Sequence, residues 1–156
     1  MIRWTPIALA LLFVPEVAAQ HLQLRGTSPL AAWNLSPSLG IVEDSLHRVG
    51  RGVYVRDIQA GNGDIADSGT IVSVHYVGQL ADGRTFSATS RDPFRFRIGA
   101  DSVIAGWEDG VLGMRVGGRR QLVIPPHLGY GADGNGNIPP DAVLVFDVTL
   151  VDARKR

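Results

Sequence analysis

What most constrains this chain is a set of short apolar runs with a period of two, each closed by glycine, proline, asparagine or aspartate. Val53 to Ile58 ends at Gly61-Asn62-Gly63, and Thr70 to Val77 is followed by Asp82-Gly83. Successive side chains of a strand point to opposite faces, so Val72, Val74 and Tyr76 share one face while Ser73 and His75 take the other. Asp82-Gly83 offers the positive-φ pair of a tight hairpin, which Arg84-Thr85-Phe86 leaves. After Pro93, Phe94, Phe96 and Ile98 point one way and Arg95 and Arg97 face solvent, as in a half-buried strand. Arg119 to Ile124 and Val143 to Val151 complete the set. In the last run Leu144, Phe146, Val148 and Leu150 lie opposite Val145, Asp147 and Thr149.

One segment has the period of a helix instead. From Ser102, a candidate N-cap, to Gly113, the residues Val103, Trp107 and Val111 recur every fourth position. Gly106 and Gly110 each cost roughly 1 kcal/mol of helix propensity against alanine, so this helix requires packing, and the two glycines let a sheet come close. The predicted fold is α+β, an antiparallel β-sheet curled around one short α-helix.

The chain begins with Arg3 and Trp4, an apolar run Ile7 to Val14, and the small residues Val17-Ala18-Ala19, the order of a secretory signal peptide over residues 1–19. Cleavage after Ala19 leaves Gln20 first. The run lies between Pro6 and Pro15 and reaches well under the ~20 apolar residues that cross a bilayer, so no membrane span is expected. The expected product is exported, periplasmic or secreted. Residues 20–49 show no sustained period. Ser28-Pro29, Ser36-Pro37 and Gly40 punctuate apolar pieces around Trp33, which reads as a linker or N-terminal arm: a spacer, a dimerisation arm or a lid. The domain itself is expected over residues 50–153, with a solvated basic tail at residues 154–156.

Several chemistries are excluded early. The 156 residues contain no cysteine, which removes disulfides, thiolate nucleophiles and thiolate metal sites. Fifteen basic residues balance fifteen acidic ones, so no global field draws in nucleic acid. The four histidines, 21, 47, 75 and 127, lack metal-ligand spacing, and no metal or other cofactor is expected. His75 reads as a hydrogen-bonded structural imidazole. Gly129 to Gly134 matches G-x-G-x-x-G, but Ile138-Pro139-Pro140 follows where a dinucleotide site needs a helix. Asp133, Asn135 and Asn137 mimic the start of a calcium loop, yet Ile138 stands where glycine is required and Leu144 where glutamate is, so the segment reads as a surface turn. No G-x-S-x-G elbow occurs.

Tyr76, Phe86, Phe94, Phe96, Trp107, Tyr130 and Phe146 fall on at least five separate segments. By pattern alone they suit either a core or an aromatic-lined pocket. The strings Val74-His-Tyr-Val-Gly78, Asp82-Gly-Arg-Thr-Phe86, Pro93-Phe-Arg-Phe96, Val103-Ile-Ala-Gly-Trp107-Glu108, Gly129-Tyr-Gly-Ala132, Ile138-Pro-Pro140 and Leu144-Val-Phe-Asp-Val148 occur in an order and spacing that resembles the FKBP-type peptidyl-prolyl cis-trans isomerases. The resemblance covers roughly residues 50–153 and does not reach residues 20–49.

The resemblance implies a catalytic constellation of Tyr76, Phe86, Trp107, Tyr130 and Phe146, with Trp107 as the pocket floor. Ser87, Phe94, Val103, Ile104 and Ile138 would contact substrate. The family's ligands take hydrogen bonds from the backbone N–H at the Ile104 position and from the hydroxyl at the Tyr130 position. Two departures stand out. The family usually has Asp directly after the pocket Phe, where it meets the Tyr hydroxyl and ligand; here that residue is Ser87. The segment from Phe86 to Pro93 is shorter than usual, so the family's pocket arginine is not assigned to Arg91. The implied partners are proline-containing polypeptides, with macrolide inhibitors bound at reduced affinity. The implied function is acceleration of proline-limited folding of exported proteins. The alternative is a chaperone or proline-segment binding module with weak or no isomerase activity, and a third class is a scaffold or dimer built through residues 20–49.

Overall fold

A computed structural model describes residues 28–155. Seven strands form, β1 (His47–Val49), β2 (Val53–Gln59), β3 (Ile71–Leu80), β4 (Thr85–Ala88), β5 (Phe94–Arg97), β6 (Arg119–Ile124) and β7 (Leu144–Arg154); the five period-two runs become β2, β3, β5, β6 and β7, while β1 and β4 carry no such run. They join one antiparallel sheet in the order β1-β2-β6-β7-β3-β4, with β5 also on β3. The two long strands β3 and β7 pair from Ile71–Arg154 to Leu80–Leu144. The outer edge of β3 is then divided, β5 pairing with Ile71 to Val74 and β4 with Val77 to Gln79. In the β3–β4 turn the Gly83 N–H donates to the Leu80 carbonyl, and Gly83 has positive φ while Asp82 does not. The hairpin therefore needs one left-handed residue where the sequence suggested two.

The only α-helix among the described residues, α1, spans Ala105–Val111 and lies against β2 and β6. The fold is thus an antiparallel sheet curled around one short helix. α1 starts later than its period suggests: Ile104 is the N-cap, with no side-chain cap bond, so Ser102 and Val103 precede the helix. A Cβ on Gly106 would overlap Ile124, and one on Gly110 would lie 2.9 Å from the Leu122 methyls, so these glycines set how closely helix and sheet approach. At the other end of α1, the Arg120 guanidinium donates to the carbonyls of Gly110 and Leu112 at 3.0 and 3.2 Å and pairs with Asp57. Those carbonyls belong to the last turn, where helices lack internal partners, and β6 supplies the donors.

The sheet is covered on both faces. On the helix side Val55, Val74, Val111, Leu122, Ile124, Phe146 and Val148 form the main core. On the opposite face Val123, Val143 and Val145 pack beneath Leu30 and Leu39, with Trp33, Ile41 and Tyr54 around them. Residues 28–46, expected as a linker or arm, are a cover bound to the domain, and the domain boundary at residue 50 moves earlier because β1 pairs with β2. Three 3₁₀ turns lie in this cover, Pro29–Trp33, Pro37–Leu39 and Glu43–Ser45, the first two with serine as N-cap and proline in the first turn. Gln121 donates to the Leu39 carbonyl at 2.9 Å, and the Ser36 N–H donates to Ala81. Arg154 and Lys155, expected in a solvated basic tail, are both exposed. Arg154 closes β7 and pairs with Asp152, and Lys155 pairs with Asp67 at 3.0 Å. The signal-peptide residues 1–19, residues 20–27 and Arg156 lie outside the described residues. No helix among the described residues is long and apolar enough to cross a membrane.

Candidate functional site

The strands and helix bring aromatic groups from distant stretches of chain to one end of the core. β3 contributes Tyr76, β4 Phe86 and Ser87, β5 Phe94, and β7 Phe146. Val103 and Ile104 come from the extended segment that enters α1, Trp107 from its first turn, and Tyr130 and Ile138 from the loop between β6 and β7. All ten line one open cavity of about 340 Å³. Phe96, grouped with the aromatics by sequence, is buried behind the cavity, its ring 5.6 Å from that of Trp107. Phe94, read as the inward face of a half-buried strand, is 41% exposed, because that face here opens into the cavity instead of a filled core.

Trp107 organises the rings. It is 4% exposed, and Tyr76, Phe94 and Phe146 approach it edge-on with centroids 5.0, 5.8 and 5.2 Å away. Phe86 meets Phe146 edge-to-face at 5.5 Å. Such edge-to-face pairs exceed plain area burial by about 0.5–1.5 kcal/mol each, and they fix ring orientation. The absence of a side chain at Gly78 makes room for them. A Cβ there would lie 2.7 Å from a Phe146 ring carbon and 2.9 Å from a Phe86 ring carbon.

Neutral polar groups share the cavity with the rings. The Tyr76 hydroxyl and the Ser87 hydroxyl share a hydrogen bond of 2.8 Å, so Ser87 occupies the tyrosine contact that the sequence comparison assigned to an aspartate. Among the described residues, neither the Ile104 N–H nor the Tyr130 hydroxyl has a protein partner, and the indole N–H of Trp107 is buried without one. The sequence missed three lining residues, Ser102, Asn135 and Asn137. Ser102 has the side chain of a helix cap, but Ile104 takes that position and Ser102 lines the cavity. The two asparagines belong to a tight turn, read only as a surface turn, in which Asn135 and Ile138 exchange both backbone hydrogen bonds at 2.9 Å. That exchange turns Asn137 and Ile138 toward the cavity. Arg91 is not a lining residue, and no carboxylate, imidazole or amine lines the cavity. The site therefore offers apolar surface and neutral hydrogen-bonding groups, with no side chain suited to nucleophilic attack or metal ligation.

Charge lies behind the site and holds it in place. Arg51 donates to both Asp109 carboxylate oxygens, and its guanidinium also reaches the Ala105 carbonyl at 3.3 Å, tying the segment before β2 to the helix that carries Trp107. Burial raises the Asp109 carboxyl, but hydrogen bonds from the Arg51 side chain and backbone, together with its charge, outweigh that and hold the pKa below the ordinary aspartate value. Glu108, itself buried, accepts the Gly99 N–H and pins the turn after β5 to α1. The His75 imidazole bonds the Thr89 hydroxyl at 3.1 Å, and the Tyr76 N–H donates to the same oxygen, which anchors the short segment after β4 beside Tyr76.

Comparison with known proteins gives a consistent result. The family model described as FKBP-type peptidyl-prolyl cis-trans isomerase matches residues 63–151. A Chaetomium thermophilum protein named FK506-binding protein 4 is 43% identical over 119 residues, which is 76% of this chain and 23% of that one. The Arabidopsis thaliana peptidyl-prolyl cis-trans isomerase FKBP15-3 is 47% identical over 107 residues, 66% of this chain and 75% of that one. Among solved structures, a peptidyl-prolyl cis-trans isomerase from Pseudomonas syringae pv. tomato superimposes with a TM-score of 0.67 at 32% identity, covering 83% of this chain and 99% of that one. The chain spans about a quarter of the length of the curated relatives it first matches.

Proposed function

This chain belongs to the FKBP-type peptidyl-prolyl cis-trans isomerase family, and on that premise we propose that it catalyses rotation about X–Pro bonds in polypeptides through the Trp107-floored cavity. The observation that carries the reading is the convergence of ten residues from six parts of the chain on one neutral, ring-lined, solvent-accessible cleft.

The barrier to X–Pro rotation, roughly 20 kcal/mol, comes from amide resonance, and water around the carbonyl oxygen favours the charge-separated planar form. Twisting the bond removes that resonance and part of the dipole. A cleft that strips water from the carbonyl therefore costs the planar form more than the twisted one. A carbonyl desolvated without a partner loses about 1–3 kcal/mol, and relief of that loss on twisting is worth roughly ten- to a hundredfold in rate. Further acceleration comes from rings shaped to the twisted proline, because only contacts stronger in the transition state raise the rate. The Ile104 N–H and the Tyr130 hydroxyl are the donors assigned to the backbone of the bound segment. No step requires a metal, cofactor or titrating base.

The clients we propose are exported proteins whose folding waits on proline, a reading supported by the signal-like order of residues 1–19. Mass spectrometry of the secreted or periplasmic product tests it: a first residue of Gln20 agrees, and retention of Met1 in the cytoplasm refutes it. For catalysis the test is a proline-limited refolding assay with the chain from Gln20 onward.

Ser87 favours a second reading, a module that holds proline-containing segments with little turnover, because serine supplies no charge beside Tyr76. Ser87→Asp separates the two. A large gain in isomerase rate at unchanged peptide affinity supports the binding-module reading, and an unchanged rate supports the first.

A further inference from the structure

The cavity does not end at its ring-lined walls. A second hollow, bounded by Leu80, Arg84, Thr85, Phe86 and Asn137, shares Phe86 and Asn137 with it. A third shares Leu80 and Arg84 with the second and continues between the β3–β4 turn, Pro139-Pro140 and Trp33 of the N-terminal cover. The three hollows lie in series, each sharing wall residues with the next, along the line between the hairpin and the loop 137–143, and together they outline a trough beside the proline site. β4 is the last strand on this side of the sheet, so no neighbouring strand lies beyond it.

We propose that this trough holds the extended polypeptide on one flank of the isomerised proline, so that the preferred substrate is an unfolded chain reaching several residues beyond the X–Pro unit. The inference rests on the isomerase reading above and names the substrate class of that same site. Adjacency to the proline cavity is the main argument: a chain whose proline sits against Trp107 must leave the cavity, and the hollow that shares Phe86 and Asn137 with it lies directly beside it. Chemistry is the second. The Asn137 amide, the Thr85 hydroxyl and the unpaired side of β4 can bond any backbone, whatever its side chains. Arg84 is held by Asp82 at 2.7 Å, and its own N–H donates to the same carboxylate, so this pair adds no net charge beside the proline cavity, while Asp141 places a carboxylate at the far end. The Trp33 ring, fixed edge-on to Tyr54 at 5.7 Å, gives the far end an apolar surface. From Phe86 back to Arg84 the hairpin covers about 7 Å, two residues of extended chain.

The test uses the full chain and a peptide series. A four-residue peptide centred on X–Pro is lengthened by two and then four alanine-rich residues, on one flank and then on the other, and kcat/KM is measured by exchange NMR. We expect about a tenfold rise in kcat/KM on lengthening one flank, the net of a few backbone hydrogen bonds after ordering costs. Thr85→Trp, which fills the trough outside the proline cavity, removes that rise and leaves the four-residue peptide within twofold. Arg84→Ala, with a smaller loss of the same kind, covers the case in which the tryptophan variant fails to fold. Equal kcat/KM at every length, or a Thr85→Trp loss shared equally by short and long peptides, overturns the proposal. So does a dimer in sedimentation that Thr85→Trp dissociates, since a second copy would then fill the trough. If the four-residue peptide is not accelerated over buffer, the isomerase reading is what fails. The trough is then read by affinity: tighter binding of long peptides, lost in Thr85→Trp, supports it, and length-independent binding refutes it.

Discussion

Gly78→Ala adds one methyl group outside the cavity and reaches the site through two of its rings. Gly78 is a buried β3 residue opposite Ser87 and Phe146, and its backbone is not left-handed, so alanine meets no conformational penalty. The cost is steric. The new carbon would lie 2.7 Å from Phe146 and 2.9 Å from Phe86, where ordinary contact begins at 3.4 Å, so the rings must retreat by about 0.7 and 0.5 Å. Overpacking of this kind costs about 1–3 kcal/mol, which for a domain of this size lowers Tm by roughly 3–12 °C. Both displaced rings line the cavity, and misplacement by about 1 Å can cost a hundredfold in rate, so we expect kcat/KM for a short X–Pro peptide to fall about tenfold. The assay is peptide isomerisation at 10 °C beside a thermal melt. Val77→Ala, on the exposed face of the same strand, serves as control and should leave the rate unchanged. A folded Gly78→Ala protein with lowered Tm and full kcat/KM would refute the claim that ring placement sets the rate.

Three further outcomes follow from the same structure. Leu39→Ala, which removes a side chain 6% exposed beneath the N-terminal cover, should cost about 2–3 kcal/mol in denaturant melts while short-peptide isomerisation stays within twofold. Asp109→Asn should lower Tm at pH 7. Because the folded carboxyl is held below its unfolded value, its contribution is complete above about pH 4 and is lost as the pH falls through the folded pKa, so melts of the variant and the unaltered chain should converge in acid. Isomerase rates should be flat between about pH 5 and 8, since no carboxylate, imidazole or amine lines the cavity; a bell-shaped profile would point to an acid or base that the site lacks.

How far the sequence carried depends on the kind of signal. Strands with one wet face, such as Phe94 to Arg97, announce themselves by alternation, and β6 matched its expected bounds at both ends. The start of α1 did not, since Ser102 has the right chemistry for a cap but Ile104 holds the position and the serine goes to the cavity. Residues 28–46 read as a linker because 3₁₀ turns three to five residues long carry no period. Their signature was nonetheless present, as serine before proline at Ser28-Pro29 and Ser36-Pro37, the same pairs that mark loop punctuation. The rings of the site were legible through the family resemblance. Asn135 and Asn137 were not, because a turn residue's type states that the chain reverses and leaves open which way its side chain faces.

The central claim is that a neutral, ring-walled cleft lowers the barrier to proline rotation. It is tested most directly by the rate of a proline-limited refolding reaction with catalytic amounts of the chain from Gln20 onward, and with Phe146→Leu protein verified as folded. The account predicts acceleration by the unaltered chain and a loss of most of it in the variant. A refolding rate equal to buffer alone, or full acceleration by the variant, would contradict it.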